Sequence, residues 1–440
     1  MSQRDDRMGT GAGGTAQVVV RRATEGDVAA ILDLLTEYDQ PRSYFAPWYE
    51  ADPSYRPEQS WVVAEDGALA AHVRLYERTL LVSGAPMRTA GVGNVITVKH
   101  ARGRGYASRV MRAALDAATA AGHAYSLLWT HLPDLYARYG FGPVPEEAVT
   151  ATADPDTGAG GTRVRAAVAD DLPAVLALRC LRNADRSGPS ILDLELFQAA
   201  RQWLGDEILV AEEHLAEQHV AEQPQQRPRA QTGEPGGQQA PAAGALTGYV
   251  RYRPGTERVE ILELGVDPRD AETGRALLAA AARPTQGRLR AVLPRTLRPL
   301  LDPWSASDTS TTGLMGRPLS APALANALSH VWPARLARAG WQQARVPLAM
   351  ADRGVTLRVT DAAVTAEPTL PESSPMPHPA EPSAAAPEDT RPLTGEQLSC
   401  LLLRGHDAAT ARLVADRRDR DVLAALCPEQ DFVIWPAEQF

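Results

Sequence analysis

Residues 99–111 have the sequence KHARGRGYASRVM, in which a basic, glycine-containing turn leads directly into an apolar helical stripe. The segment before it, 95–98, is predicted to be a β-strand, and the helix is predicted to begin at about Tyr106. Such a turn directs several backbone N–H groups toward one point, where the helix dipole adds about half a positive charge. Gly103 and Gly105 allow the backbone to approach a phosphate closely. The stretch predicts an anion site, although these residues alone are also compatible with an ordinary glycine turn.

The composition of the chain limits which anion this could be. The chain has 440 residues, which predicts two to four domains, and its formal net charge of −9 argues against binding to a nucleic-acid backbone. No apolar run reaches the ~18 residues of a membrane helix, and the first residues lack the apolar core of a signal peptide. Its three cysteines show neither a disulfide framework nor metal-ligand spacing. We therefore expect a cytoplasmic protein without a metal, a membrane partner or a nucleic-acid partner.

An internal repeat indicates that one fold occurs twice. Residues 20–32 (VRRATEGDVAAIL) and 164–176 (VRAAVADDLPAVL) align without a gap, and 260–282 resembles 93–115. Where the first copy has Arg102-Gly103-Arg104-Gly105, the second is aligned as Ala271-Glu272-Thr273-Gly274. Because a carboxylate there would repel a phosphate, we expect the second copy to lack the anion site.

The order of predicted elements from residue 17 to 150 resembles the GCN5-related N-acetyltransferase (GNAT) fold. In that family a signature of this type binds the pyrophosphate of acetyl-CoA through backbone amides. The resemblance implies cofactor contacts at Val98, Arg102, Gly103, Arg104, Gly105, Tyr106 and Ala107. It also matches LYARYGF, residues 135–141, to a family element that follows the fifth strand. One departure is that Lys99, His100 and Ala101 follow Val98, without the proline usual in the family.

The whole chain resembles the enhanced intracellular survival family of acetyltransferases. This implies a mixed α+β and α/β architecture: a catalytic GNAT domain at 17–150, a degenerate GNAT-like domain at 160–305 and a sterol-carrier-like α+β domain at 312–440. Segments 215–245 and 366–392, rich in Pro, Gln, Ser and Ala, are predicted to be disordered inserts. The family resemblance also implies a homo-oligomer, specifically a hexamer.

Acetyl transfer from a thioester to an amine needs a neutral amine and a proton for the departing thiolate. The resemblance assigns the acid to Tyr136, since a tyrosine with a pKa of about 10 is protonated at neutral pH. It assigns the proton acceptor to the terminal carboxylate of Phe440. The alternatives are a packing role for Tyr136, as expected for Tyr139, and simple docking of the apolar end DFVIWPAEQF.

The segment 37–61 concentrates aromatic residues with interleaved carboxylates in a chain that is only 5% aromatic. In the acetyltransferase fold this loop lines the acceptor pocket, where aromatic faces and carboxylates suit a polycationic amine. Asp39 and Trp48 are the candidates from this loop, and Trp129 is a third candidate. A packing cluster or an oligomer contact is the alternative.

The favoured function is acetyl-CoA-dependent N-acetylation of primary amines on a small polycationic acceptor, aminoglycoside-like or polyamine-like, within a ternary complex. Acetylation of protein lysines is an alternative within the same enzyme class. A non-catalytic scaffold that carries a lipid or acyl ligand is an alternative from another class. The intact glycine turn of the first copy argues against the scaffold, since the second copy has lost its own.

Overall fold

The computed structural model describes residues 17–154, 162–212, 245–350, 353–369 and 391–436. Most of both predicted inserts, and Phe440, lie outside these ranges. The described residues form two compact units, one made of 17–76 with 91–121 and the other of 77–90 with 122–436.

The strands, in chain order, are β1 (Val18–Arg22), β2 (Ser60–Glu65), β3 (Ala68–Val82), β4 (Ala85–Thr97), β5 (Tyr125–Trp129), β6 (Gly142–Pro143), β7 (Glu147–Thr152), β8 (Arg163–Ala166), β9 (Arg186–Ser187), β10 (Glu207–Glu212), β11 (Leu246–Arg253), β12 (Val259–Gly265), β13 (Arg288–Val292), β14 (Ser305–Thr311), β15 (Leu314–Pro318), β16 (Gln343–Met350), β17 (Arg353–Thr360), β18 (Val364–Pro368) and β19 (Asp431–Phe432).

The α-helices are α1 (Val28–Leu35), α2 (Arg42–Glu50), α3 (Tyr106–Ala120), α4 (Pro133–Ala137), α5 (Leu172–Asn183), α6 (Leu194–Leu204), α7 (Ala271–Ala282), α8 (Ala321–Leu328), α9 (Trp332–Arg338), α10 (Gly395–Arg404), α11 (Ala408–Leu413) and α12 (Arg420–Leu426). Among the described residues, no helix combines the length and apolar character needed to cross a membrane.

The first unit is a sheet covered by helices. Strands β1, β2, β3 and β4 are neighbours in that order, and the first two pairings are antiparallel. Helix α3 packs on β2 through a stripe that includes Tyr106, Val110, Met111, Ala114 and Leu115, all buried. Their spacing follows the helical period, which is why this sequence buries one face of the helix. The packing fixes the start of α3 at the end of the glycine turn.

The second unit contains several groups of paired strands. In one of them β15 lies between β5 and β6 and is antiparallel to both. A seven-stranded sheet has the order β14-β7-β13-β12-β11-β10-β8, and β16, β17 and β18 form an antiparallel sheet of three. The predicted fold class, mixed sheets flanked by helices with a further α+β part, is confirmed.

The sheets do not follow the boundaries expected from the sequence. Strand β7 extends past residue 150 and pairs with β13 and β14, and β15 lies beyond residue 312 yet pairs with β5 and β6. Residues 366–368, placed in the second insert by composition, belong to β18 and pair with β17. Composition could not show this pairing because the partner strand supplies the hydrogen bonds.

The internal repeat is reproduced in detail at the two matching segments. In the first copy Arg21 of β1 pairs at 2.7 Å with Asp27, which follows the strand. In the second copy Arg165 of β8 pairs at 2.6 Å with Asp171, which follows that strand. In both copies the aspartate also accepts a hydrogen bond, at 2.8 Å, from the backbone N–H of the residue three positions before it. The pKa of each aspartate is held below its usual range, mainly by the arginine hydrogen bond. The two segments therefore share one local structure as well as one sequence pattern.

Candidate active site

The glycine turn is built by backbone conformation. After β4 the chain makes a 3-10 turn over Lys99–Ala101. Gly103 and Gly105 then adopt left-handed conformations, with φ of +81° and +78°. A Cβ atom at either position would meet nothing within 4 Å, so the backbone angle requires glycine and the space beside it is open.

The end of this turn presents a helix N-terminus. Gly105 immediately precedes α3, and its carbonyl accepts the N–H of Arg109 at 3.1 Å. The first-turn N–H groups, including those of Tyr106 and Ala107, have no carbonyl partner inside the helix. Because α3 has 15 residues, its dipole adds to the attraction for an anion. The open face, the amides and the dipole fit a pyrophosphate.

Carboxylates hold the two arginines of the turn. Arg104 Nη1 lies 2.7 Å from Glu65 Oε1, and Arg102 Nη2 lies 3.7 Å from Glu37 Oε2. Both arginine side chains are about half exposed, so they can still reach a ligand. The sequence analysis missed Glu37 and Glu65, because neither lies near residue 102 in the chain.

The second copy of the turn has a different helix start. Helix α7 begins at Ala271, so Asp270 occupies the position that Gly105 has before α3. The alignment of Gly274 with Gly105 was wrong by one helical turn, since Gly274 lies inside α7 and a Cβ there would be 2.8 Å from Leu300. The side chain of Asp270 accepts the N–H of Thr273 at 3.0 Å. This helix end is thus capped by its own carboxylate.

The aromatic segment divides into buried and exposed residues. Phe45 and Tyr49 are buried in the core of the first unit. Tyr38 and Tyr44 are exposed, and both rings pack against Phe45, with centroids 5.9 and 5.0 Å away. Trp48, half-buried, packs edge-on against Tyr44 at 5.3 Å. The exposed rings form a patch at this end of the unit.

The carboxylates of the same segment also differ from one another. Asp39 is exposed and has a left-handed backbone, with φ of +59°. Asp52 is fully buried and pairs at 2.6 Å with Arg74, whose guanidinium also donates to the carbonyl of Trp48. The charge of Asp52 is therefore compensated by Arg74 inside the protein, whereas Asp39 faces solvent.

Arg74 also stacks on three tyrosines of the first unit. Its guanidinium carbon lies 5.1 Å from the ring centroid of Tyr49, 4.5 Å from that of Tyr55 and 4.0 Å from that of Tyr76. An ion pair surrounded by aromatic faces holds α2 and the following loop against β3. The signal for it in the sequence was an arginine within the apolar strand segment LAAHVRLY.

A polar network lies beside this cluster at an irregularity of β4. Asn94 has φ of +55°, and its side chain donates to the hydroxyls of Tyr49 and Tyr76 at 2.9 and 3.0 Å. His72 is buried between the carbonyl of Asn94 and the hydroxyl of Ser60. Burial lowers the pKa of His72 to about 4, so this imidazole is neutral at physiological pH.

Tyr136 lies in the second unit on the short helix α4. Its ring is half-buried and meets Phe141 edge-on at 6.4 Å, while its carbonyl accepts the N–H of Tyr139 at 2.9 Å. Burial, followed by the nearby phenol of Tyr139, raises the pKa of Tyr136 above its ordinary value. Tyr136 therefore carries its proton throughout the physiological range, as a general acid requires.

Trp129 also lies in the second unit, at the end of β5. It is half-buried, and its indole lies near the buried carboxylate of Glu146, where it opposes the rise of that group's pKa. Glu146 was not singled out from the sequence, because its partners come from distant segments. Phe440 lies outside the described residues.

Comparison with known proteins agrees with the geometry. Residues 19–144 match the acetyltransferase (GNAT) domain family. No curated protein matches the chain.

Solved structures similar over almost the full length include two GCN5-related N-acetyltransferases and Eis1. A GCN5-related N-acetyltransferase from Kribbella flavida has 18% identity and a TM-score of 0.66, with 97% of this chain and 99% of that chain covered. One from Anabaena variabilis has 11% identity and a TM-score of 0.63, with coverages of 95% and 97%. Eis1 from Mycobacterium abscessus has 13% identity and a TM-score of 0.59, with coverages of 96% and 100%. At these identities the likeness shows the fold.

The domain match and the glycine turn together identify an acetyltransferase whose cosubstrate is acetyl-CoA.

Proposed function

We propose that this enzyme acetylates primary amines of small polycationic acceptors, aminoglycoside-like or polyamine-like, by direct transfer within a ternary complex. The observation that carries the acceptor class is the exposed patch of Tyr38 and Tyr44 beside the exposed carboxylate of Asp39. Aromatic faces and a carboxylate attract ammonium groups. The ring of Trp48 packs edge-on against Tyr44 of this patch. Trp129 is proposed as a further pocket residue.

Tyr136 is proposed as the acid that protonates the leaving thiolate, because its phenol stays protonated and its backbone turn is well fixed. The C-terminal carboxylate of Phe440 is proposed as the acceptor of the amine proton. The backbone amides after Gly103 would hold the pyrophosphate of acetyl-CoA, which supplies the thioester. With both substrates held together, positioning alone lowers the barrier by several kcal/mol, so no acetylated enzyme is required.

The second GNAT-like region is proposed to have a structural role, since Asp270 caps the helix end that would otherwise receive a phosphate. We also propose a sterol-carrier-like third region and a homo-oligomer, specifically a hexamer. Light scattering after size-exclusion chromatography tests the oligomeric state.

An acceptor screen with acetyl-CoA tests the proposed function through release of free thiol. We expect turnover with aminoglycosides or polyamines and much weaker turnover with lysine peptides. Turnover restricted to lysine peptides would replace the proposed acceptor class. The variant Asp39→Asn should raise KM for a polyamine and leave the Kd of CoA unchanged, and an unchanged KM would contradict the role of the patch.

A further inference from the structure

The last described segment of the chain, 431–436, is fixed by the second unit at almost every residue. Strand β19 pairs in parallel with β9, and the N–H of Val433 donates to the carbonyl of Ser187 at 3.0 Å. Trp435 is completely buried, and its indole donates to Asn183 at 3.2 Å. A Cβ at Gly188 would be 2.1 Å from the carbonyl oxygen of Val433, so the groove accepts this segment only with glycine there.

Glu146 is the side chain that joins this segment to the rest of the unit. Its residue is 4% exposed, and Oε1 accepts the N–H of Ile434 at 3.0 Å. Oε2 accepts the hydroxyl of Thr312 at 2.7 Å. One carboxylate thus ties the C-terminal segment to the turn between β14 and β15.

The segments tied by Glu146 flank Tyr136 in the chain. Trp129 ends β5 just before α4, and the N–H of Leu132 donates to Thr130 at 2.9 Å to begin that helix. Glu146 itself follows β6, which comes directly after the turn that Tyr136 closes. Thr312 precedes Gly313, whose carbonyl accepts the N–H of Thr130 at 3.0 Å, so the carboxylate is linked to both sides of the segment that carries the proposed acid.

We propose that Glu146 is a positioning residue for acetyl transfer, whose carboxylate holds the C-terminal segment 431–436 and the strand ends that flank Tyr136 in one arrangement. This inference rests on the proposed function, because the groups it positions are the proposed acid and the chain that leads to Phe440. A buried carboxylate carries a desolvation cost, which the hydrogen bonds from Ile434 and Thr312 offset.

The charge state of Glu146 should control this arrangement. Burial raises the pKa of Glu146 to about 7, while Ile434, Thr312, Trp129 and the positive charge of Arg404 oppose the rise. Arg404 is itself paired with Asp407, and the neighbouring Glu147 is paired with Arg298. The ionised form accepts both hydrogen bonds, from Ile434 and Thr312, at once, whereas the protonated form turns one oxygen into a donor.

The experiment compares Glu146→Gln with Glu147→Gln, a control one residue away whose carboxylate contacts Arg298 at 3.1 Å. For Glu146→Gln we expect kcat to fall about tenfold with KM for acetyl-CoA and the Kd of CoA unchanged, and hydrogen exchange of the 431–436 backbone to accelerate about tenfold. The ratio of wild-type to variant kcat should rise from pH 6 to pH 8. Glu147→Gln should change none of these.

Unchanged exchange of 431–436, or unchanged kcat, in the folded Glu146→Gln variant overturns the inference. If that variant does not fold, Trp435→Phe, which removes the hydrogen bond to Asn183 and part of the buried ring, should likewise lower kcat while leaving KM for acetyl-CoA unchanged. Failure of the proposed function is recognised separately: normal turnover in Tyr136→Phe removes the acid, whatever the exchange of 431–436 shows.

Discussion

Arg74 Nη2 lies 2.6 Å from Asp52 Oδ2, and both side chains are completely buried. Removal of one partner leaves an uncompensated charge in the core of the first unit. We expect Asp52→Ala to lower the free energy of unfolding by about 3–5 kcal/mol. The matched control is Asp33→Ala, whose exposed pair with Arg42 at 2.8 Å should contribute less than about 1 kcal/mol. Urea unfolding of both variants measures the difference, and equal losses would contradict the distinction between the two pairs.

Gly105→Ala should weaken the binding of CoA in addition to lowering the stability of the fold. The left-handed backbone imposes a cost of about 1–2 kcal/mol on any residue with a Cβ, and no contact adds to it. Gly67→Ala is the control, because Gly67 has φ of +86° and equally open space in the turn between β2 and β3. We expect similar losses of stability in both, with a weaker Kd for CoA only in Gly105→Ala. Calorimetry that finds the same Kd in both variants would remove the turn from the cofactor site.

Neutralising the carboxylate beside Arg104 should strengthen cofactor binding. Glu65 accepts two hydrogen bonds from Arg104, at 2.7 and 2.9 Å, and adds a negative charge near the proposed pyrophosphate site. We expect Glu65→Gln to lower the Kd of CoA several-fold at low ionic strength, with less effect at high salt because the arginine is exposed to solvent. Glu58→Gln, an exposed carboxylate outside the glycine turn, should leave the Kd unchanged. Weaker binding in Glu65→Gln would show that the ion pair orients Arg104.

Tyr136→Phe should lower kcat by about 10²-fold or more, which is the usual contribution of a general acid, without weakening CoA binding. Because burial raises the pKa of Tyr136, its proton is lost only above its ordinary value of about 10. Activity should therefore show no alkaline loss from this group below pH 10. Tyr139→Phe is the control, since Tyr139 is buried and serves packing. A loss of activity between pH 8 and 9 that disappears in Tyr136→Phe would contradict the raised pKa.

Glu146 should also make stability depend on pH. Its folded-state pKa of about 7 lies above its ordinary value of 4.5, so the folded protein binds this proton more tightly than the unfolded chain does. Its contribution to stability is greatest below pH 4.5, falls as the pH rises toward 7 and is constant above that. Relative to Glu146→Gln, the wild type should lose roughly 3 kcal/mol between pH 4.5 and pH 8. Urea unfolding across this range measures the difference, and parallel curves would show an unshifted carboxyl.

The glycine turn could be predicted from the sequence because everything that shapes it is local. Its two glycines, the strand before it and the apolar stripe of α3 all lie within about 25 residues, and the helix begins at the predicted Tyr106. In the second copy, the alignment set Gly274 against Gly105 at the start of the helix. Helix α7 in fact begins after its capping residue Asp270, four residues earlier, which the glycine spacing could not show.

The other features depend on distant parts of the chain. Arg74 and Asp52 form an ion pair although they are 22 residues apart in the sequence, and Glu146 and Ile434 form a hydrogen bond although they are 288 residues apart. An arginine in an apolar strand suggested a buried partner but could not identify it. Asp52 was grouped with carboxylates for a cationic acceptor, and only the fold shows that its charge is compensated internally.

Strand β15 has a consequence for biosynthesis. It fills the gap between β5 and β6 from a position more than 170 residues after β6 begins, so the ribosome must deliver residue 318 before those two strands acquire their common neighbour. Until then both leave unpaired backbone groups, which invite association with other nascent chains. A fragment that stops near residue 305 should therefore aggregate, even though it contains the whole sequence that matches an acetyltransferase domain.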